Sequence, residues 1–136
     1  MINKLPETPR KTIWAHVVGE GRGYHGTHDF TGVPLIALLE KIKTGFDANT
    51  VFMVSAPDAY RSLISYGELF LNTNGDRILM TDQIDGRPWE KGGRFILVLP
   101  DDLMADREVK AVSKIEIMNL GTEDQKNHIH IRPFAF

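Results

Sequence analysis

Hydrophobic and polar residues alternate along several short stretches of the chain, as in β-strands that bury one face. In residues 12–18, Ile13, Ala15 and Val17 alternate with Trp14, His16 and Val18, and this period of two predicts a strand. Further strands are predicted in "TVFMVSA", "YRSLISYGELF", "RILMTDQIDG", "RFILVLP" and "VSKIEIMNL", the second of which runs into a short turn of helix. The apolar run of "RFILVLP" is continuous, which indicates burial on both faces.

One stretch, "VPLIALLEKIKTG", has the spacing of an amphipathic helix. Its apolar face carries Leu35, Leu38, Leu39 and Ile42. Pro34 suits the first turn, and Gly45 can cap the end. Because short strands outnumber helices, the sequence predicts a mixed, strand-rich α/β fold. Residues 1–11 are polar and interrupted by proline, so we predict an N-terminal arm there and a single domain over residues 12–136.

Composition narrows the classes of function. The chain has 136 residues, of which 42% are hydrophobic and 25% charged, as is usual for a soluble globular protein. A net charge of -2 gives no electrostatic reason to bind nucleic acid, and no apolar run is long enough for a membrane span. We expect a periplasmic location if a signal segment has been removed, and otherwise a cytoplasmic one.

The glycine-rich stretch "GEGRGYHGTHDF", residues 19–30, contains the pattern G-x-G-x-x-G directly after the first predicted strand. In a dinucleotide-binding domain the third glycine opens a helix whose N-terminus holds phosphate. Here "THDFTGVP" follows Gly26 and has to turn again before Pro34. This context argues against a nucleotide site. We therefore interpret the stretch as a flexible loop that crosses from the first strand to the helix.

Histidines in the same stretch raise the alternative of a metal site. His25, His28 and Asp29 lie close together, and His128 and His130 form an alternating "HIHI" near the end of the chain. Imidazole suits zinc and iron. Loop histidines that only make hydrogen bonds are the more common case, so the sequence predicts no metal site and leaves the role of His128 and His130 open.

Four ordered segments carry a resemblance to a known family. They are "FTGVPLIALLEKI", "VSAPDAYRSLISYGELF", "ILMTDQIDGRPWEKGGRFILVLPDD" and "DREVKAVSKIEIMNL". In order and spacing they are similar to the "tGvpL..LL" helix, the "DGY" turn, the "dG.pL" hairpin and the terminal "R.vK.v..Iev" of the molybdopterin-binding domain of the sulfite oxidase family. The resemblance covers about residues 30–119. It implies a compact fold of several small mixed sheets with few helices, which binds a pterin in a cleft between loops.

The chain departs from the catalytic members of that family in its metal ligand. Those members hold molybdenum through a cysteine thiolate, a soft ligand, and this chain has no cysteine. Asp58-Ala59-Tyr60 stands at the family's "DGY", and Lys110-Ala111 at its lysine-tryptophan pair. The resemblance therefore points to a group of small cysteine-free domains that bind free, reduced pterins. Those domains report pterin levels to membrane signalling enzymes that make and degrade cyclic di-GMP.

The chemistry of a pterin selects candidate ligand-binding residues. Its amino-pyrimidinone edge has adjacent N–H groups, and a carboxylate can accept a hydrogen bond from each of them. Its flat ring can stack on aromatic or guanidinium groups. Asp29 and Asp58 are the candidate carboxylates. Candidates for hydrogen bonding and stacking are Tyr24, His25, His28, Tyr60 and Trp89. By the resemblance, Arg61, Arg94, Arg107 and Lys110 lie near the ring or its substituents.

Two classes of function follow. The first is a non-catalytic protein that senses a reduced free pterin, tetrahydropterin or monapterin-like, and signals to a partner, for which a membrane-bound signalling protein is the candidate. The alternative is a molybdopterin-dependent oxidoreductase, or a subunit of one. Since the thiolate ligand is missing, we expect a binding protein with no catalytic residues and no covalent cofactor, and molybdopterin is the less favoured ligand.

Overall fold

The computed structural model describes residues 9–18, 24–42, 45–88, 95–102, 107–120 and 130–135. This part of the chain is strand-rich, with one short α-helix, α1, at Leu35–Glu40. The strands are β1 Lys11–Val18, β2 Tyr24–Pro34, β3 Thr50–Ser55, β4 Arg61–Ser65, β5 Leu79–Ile84, β6 Arg87–Pro88, β7 Ile96–Val98, β8 Lys114–Asn119 and β9 His130–Ala135. A π-helical turn at Gly67–Leu71 and a 3-10 turn at Gly75–Arg77 follow β4. The predicted strand-rich fold with few helices is confirmed.

The strands form two small sheets. In the first, sheet A, the order is β1-β2-β5-β6, and β7 also pairs with β5; in the second, sheet B, the order is β4-β3-β8-β9. All strand pairs within the described residues are antiparallel, so the sheets are small, as predicted, but not mixed. Short hairpin connections account for the β3–β4 and β5–β6 pairs, because a parallel pair needs a crossover of about a dozen residues or more.

The core lies on both sides of β7. Phe95, Leu97 and Leu99 belong to the main apolar cluster, together with α1 and the inner face of sheet B. Ile96 and Val98 belong to a smaller cluster that includes residues of β1 and β2. This alternation confirms the predicted burial of β7 on both faces. The segment that carries residues 99–102 is therefore anchored at its start by a fully buried strand.

The prediction of a flexible crossing loop over residues 19–30 is wrong for its second half. Tyr24–Pro34 is a strand that pairs antiparallel with β1 along its length. The polar residues of "YHGTHD" hide the strand period; among the described side chains, Asp29 and its β1 partner Trp14 are exposed to solvent. Residues 19–23 lie outside the described residues.

Two glycines let β2 adopt its path. Gly26 has a φ of 95° and lies where β2 carries an extra residue against β1, between the His16 and Val18 pairs, as in a bulge. At Gly32, a Cβ atom would lie 2.1 Å from the carbonyl oxygen of Met80. The close approach of β2 and β5 therefore requires glycine at position 32.

Helix α1 is shorter than predicted. It buries Leu35, Leu38 and Leu39, as its spacing indicates, but it ends at Glu40 with Lys41 as the C-cap. Gly45 is therefore not its cap. At the other end of the chain, Lys11 of the predicted arm begins β1, and residues 1–8 lie outside the described residues.

Candidate functional site

Arg107 joins three elements around a cleft. Its Nε and Nη2 donate to the two carboxylate oxygens of Asp102 at 2.8 and 2.7 Å. Its Nη1 lies 2.6 Å from Oε1 of Glu68 and donates to the carbonyl oxygen of Leu63 on β4 at 3.3 Å. One guanidinium thus spans edge strand β4, the π-helical turn after it and the segment that follows β7.

Glu68 is held in this cluster by hydrogen bonds from Ser65 as well as by Arg107. Oε2 of Glu68 accepts the backbone N–H of Ser65 at 2.8 Å and its hydroxyl at 3.0 Å. Burial alone would raise the pKa of Glu68, but the Ser65 N–H and Arg107 outweigh it, so this pKa lies below its ordinary value of 4.5. The bidentate bond to Asp102, followed by the contacts with Glu68, raises the pKa of Arg107.

The cleft beside Arg107 has a volume of about 90 Å³. Ile78 and Leu99 supply apolar surface, and the polar lining comes from Glu68, Asn72, Asn74, Asp101, Asp102 and Arg107. Pockets that enclose a drug-sized ligand measure about 300–1,000 Å³. This cleft therefore has room for one edge of a small heterocycle rather than for all of it.

A second polar cluster lies on sheet A, around Asp85. Its carboxylate accepts the backbone N–H of Asp29 at 2.9 Å and lies 2.8 Å from Nδ1 of His28. The backbone N–H of Asp85 in turn donates to the carbonyl oxygen of Asp29 at 2.7 Å. The hydrogen bond with His28, followed by that with Asp29, lowers the pKa of Asp85 below its ordinary value of 3.8. The cluster ties the β5–β6 turn to β2.

The β3–β4 turn and the first residue of β4 carry three of the predicted ligand-binding residues. Asp58, Tyr60 and Arg61 are all exposed, and Oδ1 of Asp58 accepts the backbone N–H of Tyr60 at 3.0 Å. Exposed Lys110 precedes β8. Since Ser55 pairs with both Arg61 and Lys114, this turn and the segment that carries Lys110 reach the same end of sheet B.

The predicted site residues that the structure describes thus lie in three places: His28 and Asp29 at Asp85, the β3–β4 turn with Lys110, and Arg107 at its cleft. Tyr24 and His25 lie on β2, but their side chains are outside the described part of the chain, as are Trp89 and Arg94. Sequence reasoning missed Glu68, Asp102 and Asp85. The sequence did contain two signals for them: the adjacent acids of "PDD", and the Ser-x-x-Glu spacing of Ser65 and Glu68.

Among the described residues, no group of three histidine, aspartate or glutamate side chains is placed to hold a metal ion. His128 and the side chain of His130 lie outside that part of the chain, although the backbone of His130 begins β9 and pairs with Asn119.

Comparison of the chain with protein-family models and with curated proteins finds no match. Within the residues that the structure describes, none of the helices has the length and apolar character needed to span a membrane.

Proposed function

We propose that this protein is a non-catalytic binding protein for a reduced, unconjugated pterin, which it senses on behalf of a partner protein. The observation that carries the proposal is the cleft beside Arg107. It combines carboxylate and amide groups with apolar surface from Ile78 and Leu99. Small-molecule sites characteristically place a few polar groups, which orient the ligand, against apolar surface.

Two backbone positions support the resemblance that suggested a pterin. Ala59 stands at the glycine of the family's "DGY" turn, and its φ of 72° lies in the left-handed region that favours glycine. Gly32 stands at the glycine of the "tGvpL" motif, where a side chain would collide with the backbone of β5. Both positions have the geometry for which glycine is suited. The sulfite oxidase type of fold is part of this proposal.

The non-catalytic part of the proposal is based on the missing thiolate. The chain contains no cysteine, so its residues do not supply the soft ligand through which the catalytic members hold molybdenum. Under the proposal the ligand is a tetrahydropterin or monapterin-like molecule, and the protein reports its presence to a membrane-bound signalling protein of the cyclic di-GMP type. The molybdopterin-dependent oxidoreductase is the alternative that the experiment has to separate.

The experiment measures binding and bound ligand on the same preparation. Calorimetry with tetrahydropterin and with the fully oxidised pterin should show tighter binding of the reduced form, because the reduced ring keeps additional N–H donors for the acceptors of the cleft. Equal or reversed affinities would contradict the preference for the reduced ring.

Metal analysis and fluorescence of extracted, oxidised ligand separate the two classes of protein. A fluorescent pterin without molybdenum supports the sensor. Stoichiometric molybdenum would overturn it in favour of the oxidoreductase, and the absence of any pterin binding would remove both.

A further inference from the structure

We propose that the carboxylate of Asp102 is the binding site for the paired N–H donors of the ligand, and that Arg107 is an internal competitor for that carboxylate. The inference rests on the proposed function in one respect, the identity of the ligand as a pterin. The chemistry of the site follows from the geometry of Asp102 and Arg107. It takes any ligand with a guanidine-like edge, in which two parallel N–H groups point the same way.

Arg107 and Asp102 are joined by two parallel hydrogen bonds. Two nitrogens of one guanidinium donate to the two oxygens of one carboxylate at 2.8 and 2.7 Å. This fork-to-fork arrangement selects planar, paired donors. The amino-pyrimidinone edge of a pterin presents the same pattern with its ring N–H and its amino group. Asp102 is therefore already arranged to accept such an edge, and Arg107 occupies the acceptor positions.

Arg107 keeps contacts with Glu68 and Leu63 when it leaves Asp102. Its Nη1 lies 2.6 Å from Glu68 and donates to the carbonyl oxygen of Leu63. These contacts involve a different nitrogen from the two that bond to Asp102. Arg107 can therefore give up one carboxylate without losing all its partners, and Glu68 keeps the displaced charge compensated.

Asp102 is less exposed to solvent than the two carboxylates that the sequence suggested, Asp29 and Asp58. Asp29 and Asp58 are exposed, and Oδ1 of Asp58 already bonds to the backbone of its own turn. The side chain of Asp102 is only 25% exposed and lines the cleft. A hydrogen bond counts for more where water is partly excluded, so the geometry favours Asp102.

The experiment uses two probes, tetrahydropterin and methylguanidinium, on the whole chain, on three single variants and on one double variant. Asp102→Asn replaces one acceptor oxygen with a donor, and we expect it to weaken tetrahydropterin binding about 10- to 100-fold. Asp82→Asn is the matched control, because the Asp82 side chain is also an ion-paired carboxylate, 29% exposed against 25% for Asp102, but it pairs with Arg10 and does not line the cleft. It should leave the affinity near that of the unchanged protein.

Arg107→Lys tests the competition. Lysine keeps the positive charge but lacks the planar fork, so Asp102 is released and tetrahydropterin affinity should rise about 2- to 10-fold. Thermal unfolding of every variant confirms that it is folded before it is titrated. Methylguanidinium should bind Arg107→Lys more tightly than the unchanged protein, and this gain should vanish in the double variant with Asp102→Asn.

The outcomes distinguish the site from the proposed function. If tetrahydropterin binds the unchanged protein and Asp102→Asn equally well, the inference is overturned and the proposed function stands. If methylguanidinium binds in the Asp102-dependent way and tetrahydropterin does not bind at all, the site stands and the proposed function falls. Weaker binding of both probes to Arg107→Lys would overturn the competition, and binding of neither probe to any variant would overturn both proposals.

Discussion

The clusters around Asp85 and Arg107 both connect a turn or loop to a sheet, but they are built in opposite ways. At Asp85 a single carboxylate receives a backbone N–H and a histidine nitrogen. At Arg107 a single cation is shared by two carboxylates and a backbone oxygen. The Asp85 side chain is 54% exposed, against 25% for Asp102, so water competes more strongly for the first.

This difference separates a cluster that supports a turn from one that borders a cleft. All three hydrogen bonds between Asp85 and β2 fix the position of the β5–β6 turn. The Arg107 cluster lines a cleft instead, and its half-buried charges each depend on the others for compensation. The stability of the fold should consequently respond more to Arg107 than to Asp85, and the following variants test this.

The largest effect is expected for Arg107→Ala. The change leaves Glu68 and Asp102 half-buried without their cation, and it removes the contact with Leu63. Hydrogen bonds to charged groups contribute about 1.5–3 kcal/mol when buried, and exposed ion pairs about 0.2–1 kcal/mol. Because Arg107 is one-third exposed, we expect the free energy of unfolding to fall by about 1–2 kcal/mol in urea denaturation.

Arg77→Ala is the matched control for this measurement. Nε of Arg77 contacts both oxygens of Asp101 at 3.1 and 3.2 Å, in a more exposed pair. The expected loss is below about 0.5 kcal/mol. If the two variants lost equal stability, the Arg107 cluster would contribute no more to the free energy of unfolding than an ordinary surface ion pair.

The second largest effect on stability is expected at two turns with left-handed backbone, the β5–β6 turn at Gly86 and the β3–β4 turn at Ala59. Gly86, beside Asp85, has a φ of 78°, and a Cβ there would meet no atom within 4 Å. Gly86→Ala should therefore cost only the conformational strain, about 1 kcal/mol. Ala59 has a φ of 72° on the β3–β4 turn. Ala59→Gly should be stabilising by about 0.5 kcal/mol, since the greater freedom of glycine in the unfolded chain offsets part of the relief.

Thermal unfolding of both variants measures the pair of effects under one condition. A fall in Tm for Gly86→Ala together with a rise for Ala59→Gly would support left-handed backbone at both turns. A fall for both would show that Ala59 does not adopt this conformation in solution.

Most of the fold was predictable because its strands follow simple burial patterns. In β8, Ile115 and Ile117 face the core, and the continuous apolar run of β7 is buried on both sides. The strand β2 was not predictable in the same way. Its outer residues are polar, its path depends on a bulge at Gly26, and glycine patterns favour loops in a sequence taken alone.

The site was less predictable than the fold, since it depends on which elements meet. Arg107 was a candidate, but Asp102 and Glu68 are 5 and 39 positions away in the chain (107 − 102 and 107 − 68), and only the folded backbone brings both to the same guanidinium. Asp85 belongs to a turn motif that was visible in the sequence, yet its contacts with His28 and Asp29 require the register of β2 against β5.

The smallest effect is the response of the two clusters to acid. The pKa of Glu68 and that of Asp85 are both lowered in the folded protein. A carboxylate with a lowered pKa stabilises the fold at pH values above its unfolded pKa, and this contribution is lost as the pH falls through the folded pKa. Stability should therefore decline below about pH 4.5, the ordinary pKa of the glutamate.

Glu68→Gln and Asp85→Asn assign this decline to one cluster or the other. We expect Glu68→Gln to flatten the decline of the unfolding free energy between pH 5 and pH 3 by up to about 0.5 kcal/mol, a value already reduced for solvent screening. Asp85→Asn should change the slope less, because the Asp85 carboxylate is exposed and water weakens its hydrogen bonds with His28 and with the Asp29 N–H. Urea denaturation at several pH values measures both slopes. A larger change for Asp85→Asn would contradict this expectation. It would show that the Asp85 cluster contributes more than the Arg107 cluster to the pH dependence of the unfolding free energy.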